Sequence, residues 1–156
     1  MFQRSYYFNP FMMKTASDDD LARQLNDLAG RYIYEENMIT ISQVVFNINL
    51  ESDMLMIYGE YIARYQEKVS RLKMDADSRE RKQIYELRKN FISISTEKPP
   101  GIEYFRAEAS DIVKDIRKEQ YEAESMLTRF KKAYTSLETK QNALKKKLEA
   151  MRYEGR

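Results

Sequence analysis

The sequence predicts an all-α protein: a long antiparallel helical hairpin, coiled-coil-like, preceded by a short helix and self-associating. Three observations carry that prediction. An apolar seam recurs every seven residues from Ala109 through Ile116, Ala123, Phe130, Leu137 and Leu144 to Met151 without a polar interruption, and only a 3.6-residue period returns positions seven apart to one face. A second series, Leu55, Tyr58, Ile62, Tyr65, Val69, Leu72 and Ala76, steps by threes and fours. Between the two, Pro99, Pro100 and Gly101 cannot continue a helix. The composition agrees: 156 residues hold only 4 glycines and 3 prolines, and 33% of them are charged, as in long-helix proteins.

Residues 1–16 form an N-terminal tail, MFQRSYYFNPFMMKTA, broken by Asn9 and Pro10. Without a clean apolar core it does not read as a signal peptide, and it is expected to be loosely ordered or to dock on a neighbouring subunit. Residues 17–49 read as a short helix and a connector. Ser17, with Asp20 three residues on, supplies a hydroxyl for the orphan amides and an acidic first turn. Leu21, Leu25 and Leu28 give this helix one face, and Gly30 ends it. From Arg31 to Asn49 the pattern is ambiguous. Ile39 and Ile41 alternate with Thr40 and Ser42 as a short strand would, but no partner strand exists elsewhere, so an irregular or helical connector is the expectation.

Residues 50–156 make the hairpin, with its breaker at 93–101. The first helix, Leu50 to Phe91, slips out of phase where Asp77, Ser78, Arg79, Glu80, Arg81, Lys82 and Gln83 intervene before Ile84, Leu87 and Phe91. Such a slip rewinds the seam or marks a change of partner. The second helix, Glu103 to Tyr153, has no internal breaker. Two helices of this length share only a narrow stripe, so apolar surface is left over for self-association. Phe130, Tyr134, Leu137, Leu144, Leu148 and Met151 are the expected oligomerisation residues.

With no histidine and no cysteine, the usual general base, thiolate nucleophile and transition-metal ligands are missing together, so an enzyme is not expected. Asp111, Asp115, Glu119 and Glu122 climb one face of the last helix and have the donor type for a divalent ion. Lys114 and Lys118 are interleaved with them, which reads as an ion-paired solvated face. No metal, cofactor or glycine-rich phosphate loop is expected. No run of about eighteen apolar residues exists to span a membrane.

Charge is asymmetric beneath a net +2: residues 1–60 hold 4 basic and 9 acidic side chains (−5), residues 61–156 hold 23 and 16 (+7). An anionic partner therefore belongs with the second part. Arg79, Arg81, Lys82, Arg88 and Lys89, with Tyr85 and Phe91 among them, combine cations for phosphates with rings for unpaired bases, the mixture that single-stranded nucleic acid favours. A second basic group, Lys131, Lys132, Lys140, Lys145, Lys146, Lys147 and Arg152, also complements a helix C-terminus. For both groups a merely solvated outer face accounts for the same residues.

The order of these features resembles the UvsY family of phage recombination mediators. The likeness covers Leu50 to Arg156 and, more faintly, Asp19 to Glu36. It rests on Tyr58, Tyr61, Lys68 and Leu72, on Arg88, Lys89 and Phe91, and on Lys145, Lys146, Leu148, Met151, Tyr153 and Gly155. Where the family has paired aromatics and a glycine after its basic motif, this chain has Phe91, Ile92 and Ser93. The resemblance implies a cofactor-free homo-oligomeric ring in the host cytoplasm that binds single-stranded DNA. Such a protein helps a RecA-like recombinase displace a single-strand-binding protein. Arg81, Lys82, Arg88 and Lys89 would neutralise phosphates, and Tyr85 or Phe91 would stack a base. A non-enzymatic coiled-coil scaffold or adaptor of a virus is the competing expectation.

Overall fold

The computed structural model describes residues 13–34 and 37–154. Among them every regular element is helical: α1 (Asp18–Gly30), α2 (Ile41–Ile94), α3 (Ile102–Ile112) and α4 (Lys114–Glu154). The chain divides into two compact units, Met1–Ala63 with Thr128–Arg156, and Arg64–Leu127. Helices α2 and α4 contribute residues to both.

In the first unit, α1 begins and ends where the sequence places it. The Ser17 hydroxyl accepts from the Asp20 amide (3.1 Å), and the Asp20 carboxylate accepts from the Ser17 amide (3.2 Å). This reciprocal cap satisfies two orphan donors, and the Ser17 contacts hold the Asp20 carboxyl below its ordinary value. Leu21 is fully buried. Of the expected tail, residues 1–12 lie outside the described residues. Met13 is buried and its carbonyl accepts from the Ala16 amide at 3.2 Å, so packed structure starts before Ser17.

Of the two forms expected for the connector, the helical one is found from Ile41, where α2 begins, nine residues before the anticipated Leu50. The cause is a second reciprocal cap. The Thr40 hydroxyl accepts from the Gln43 amide (3.3 Å), and Gln43 Oε1 accepts from the amides of Ile39 and Thr40 (both 2.9 Å). Thr40-Ile41-Ser42-Gln43 is thus a helix start rather than an alternating strand. Ahead of it, residues 32–34 are non-helical and held by side chains of α2. Asn47 brackets Ile33, accepting from its amide (3.0 Å) and donating to its carbonyl (2.7 Å), and the Tyr32 hydroxyl donates to Glu51 Oε1 (3.0 Å). A buried amide that makes both bonds avoids the cost of an orphaned polar group.

Helices α2 and α4 run antiparallel within this unit. Tyr61 stacks on Phe130, Gln141 donates to the Ile48 carbonyl (3.1 Å) and the Ser52 hydroxyl (2.6 Å), and Leu144 packs with Val44 and Met38. Ile33, Ile48, Leu148 and Met151 close around that last cluster.

In the second unit the pairing is again antiparallel. Lys68 meets Glu119 (3.0 Å), Arg117 reaches both Asp77 (2.6 Å) and Glu80 (3.0 Å), and Phe91 meets Phe105 edge-on, centroids 6.0 Å apart. The phase slip is the segment that carries Asp77 and Glu80. There an ion-paired junction replaces the apolar seam, and beyond it Phe91 faces α3 instead of α4. α2 itself continues to Ile94, so the turn is 95–101, shorter than the 93–101 expected.

The expectation of one unbroken helix from Glu103 to Tyr153 is also corrected. It divides at Val113 (φ −98°, ψ 4°), whose side chain is buried. Just before the break the Ser110 hydroxyl donates back to the Ala107 carbonyl (2.7 Å), a bond that bends helices. The seam survives the division, since Ala109 and Ala123 are buried and Ile116 is half-buried.

Candidate nucleic-acid interface

The basic-aromatic group lies in the second unit on the part of α2 that packs through Ile84, Leu87 and Phe91, all half-buried. On a 3.6-residue helix, positions 81, 82, 85, 88 and 89 fall within about 120° of one another, opposite that packed row. Arg81, Lys82, Tyr85, Arg88 and Lys89 are accordingly exposed. From Arg81 to Lys89 the stripe advances about 12 Å along the axis. Arg71 lies on the same face and is exposed too.

The electrostatics of the stripe are set by what borders it. Asp75 is engaged by Arg79 at 2.9 Å, and Asp77 and Glu80 by Arg117. Arg117 is held above its ordinary value chiefly by those two hydrogen bonds, from Asp77 first. Arg81, Lys82, Arg88 and Lys89 make no ion pair among the described residues. Four cations that make no ion pair among the described residues, spaced along one face with a 64% exposed tyrosine between them, suit a polyanion with apolar rings.

Two of the expected site residues sit elsewhere. Arg79 is tied to Asp75, on the edge of the stripe rather than within it. Phe91 is turned toward Phe105, which itself meets Tyr104 edge-on at 5.5 Å, so Phe91 supports α3 and Tyr85 is the exposed ring of the group.

The second basic group belongs to the first unit and is dispersed around α4. Lys131 and Lys132 border a shallow depression with Thr128 and Thr135. Lys145 donates to Gln141 Oε1 at 2.9 Å, and Lys140 and Lys145 face Glu51. Glu51 is fully buried, with Oε2 lacking a hydrogen-bond partner among the described residues. Burial raises its carboxyl above the ordinary value, opposed by the Tyr32 hydrogen bond and the two lysines. This buried polar layer of Asn47, Glu51 and Gln141 was not foreseen. Its only sequence trace is polar residues at positions the helical period assigns to a covered face.

Of the residues expected to build an oligomer, several make contacts within the chain. Phe130 is stacked on Tyr61, Leu144 is 5% exposed, Leu148 and Met151 pack on its cluster, and Tyr134 and Leu137 are half-buried. Asp111, Asp115, Glu119 and Glu122 are exposed, Glu119 is paired with Lys68, and no group of three or more metal-ligating side chains forms among the described residues. Nor is any described helix long and apolar enough to cross a membrane. Compared with known proteins, the chain matches no family model, no curated protein and no solved structure.

Proposed function

We propose that the protein binds single-stranded DNA along α2 of the second unit and acts as a recombination mediator that helps load a RecA-like recombinase. The observation that carries the binding is the row Arg81, Lys82, Arg88 and Lys89. These side chains are exposed, make no ion pair among the described residues and are disposed around Tyr85 on the face opposite the packed one. Phosphates would sit on the four cations and an unpaired base on the Tyr85 ring, a mode that needs no base-specific hydrogen bonds. One such patch is small, and several held in a homo-oligomeric ring would gain by effective concentration. The role in displacing a single-strand-binding protein follows from the family resemblance, not from the patch.

The test is fluorescence anisotropy of a labelled single-stranded oligonucleotide across a salt series, with duplex as control. Four phosphate contacts give a log–log salt slope of about −3 for a single strand. The Arg88→Glu, Lys89→Glu variant, altered only at exposed positions, should keep its helicity and lose most of the binding. Absence of binding at low salt would favour the scaffold or adaptor reading.

A further inference from the structure

The cationic stripe has an apolar centre of which a nucleic-acid strand would use only the Tyr85 ring. Met74, Tyr85 and Ile92 are 73%, 64% and 57% exposed. Separations of eleven and seven residues place all three on one line of the helix. Arg81 and Arg88 run along one flank of that line, Lys82 and Lys89 along the other. A base stacks on the ring of Tyr85, but the thioether of Met74 and the branched chain of Ile92 present no planar face to stack on. The entire pattern, an apolar row between two rows of cations, is instead the complement of a helix with an apolar row between two rows of carboxylates.

Helix α1, with three acids in its first turn, does not present such a face from a second copy, since Leu21 is fully buried and Leu25 and Leu28 are half-buried. We propose that this face of α2 docks an acidic amphipathic helix of a partner protein, which excludes nucleic acid from the same four cations. The docking stands on the stripe alone; the exclusion rests on the DNA-binding reading above.

The probe is a synthetic peptide about four heptads long, with leucine at the a and d positions and glutamate at e and g. A scrambled peptide of the same composition is the control, and binding is read by anisotropy without DNA. Heptad binding about tenfold tighter than scrambled supports the proposal. So does a loss of about tenfold in Met74→Ser, Ile92→Ser, a variant whose changes are both exposed, with oligonucleotide binding kept within about twofold. Equal affinity for both peptides, or no change in that variant, overturns it. Heptad binding by a protein that ignores DNA would uphold the docking and remove the DNA-binding function. Peptide and oligonucleotide bound together would overturn the exclusion.

Discussion

Tyr61 lies flat against Phe130, ring centroids 4.5 Å apart and planes 5° from parallel, while its hydroxyl donates to the Asp18 carbonyl at 2.7 Å. One side chain of α2 thereby fixes both α4 and the start of α1 within the first unit.

Truncating that pair tests whether the seam serves the single chain or its assembly. Phe130→Ala should cost about 2–4 kcal/mol in urea unfolding, since Tyr58, at 6.4 Å, also loses its tilted partner. An unchanged unfolding midpoint with a reduced oligomer mass would place Phe130 in an interface instead. Tyr61→Phe should cost about 1 kcal/mol through the lost hydrogen bond.

Glu51 gives the pH dependence a definite sign. Its carboxyl is raised above 4.5, the ordinary value, by burial. The folded state therefore holds the proton more tightly than the unfolded chain. Its favourable contribution is complete below the unfolded value and is lost as pH rises through the folded one. Glu51→Gln should make the protein more stable than the parent at pH 8, with the difference shrinking toward pH 5. Parallel stability curves for the two proteins would contradict this.

The second cap predicts a local effect. Thr40→Ala should cost about 1 kcal/mol and speed hydrogen exchange at the first amides of α2. Exchange faster throughout α2 would mean that the cap governs more than its own turn.

Gly59 is the internal glycine of α2, and a Cβ there meets nothing within 4 Å. Gly59→Ala should raise stability by about 0.5–1 kcal/mol, because glycine loses more backbone freedom in a helix. A destabilised variant would indicate that another chain approaches this position.

What was legible in the sequence was whatever depends on local period and local caps. The seam from Ala109 to Met151, the Ser17 start and the Gly30 end all rest on residues within one or two turns of each other. The phase slip at Asp77–Gln83 also carried its meaning, as the place where α2 changes partner. The Thr40–Gln43 cap was legible in principle and was masked by the alternation of Ile39 and Ile41, which has the strand period over too few residues to decide. The break at Val113 was not legible, because neither proline nor glycine marks it. Nor was the buried layer of Asn47, Glu51 and Gln141, since a polar residue is placed inside only once its partners in segment 32–34 and α4 are known. The stripe was found from its charges, whereas its apolar line through Met74 and Ile92 emerges only when the packed face is fixed.

The opposition of the two faces of α2 in the second unit separates two demands on the sequence. Residues of the packed row answer to the neighbouring helices, and residues of the exposed row are held to no such packing demand. Substitutions in the exposed row are therefore free to change affinity, specificity or partner at almost no cost in folding. The same helix can accumulate new binding properties over generations while the framework that presents them stays intact.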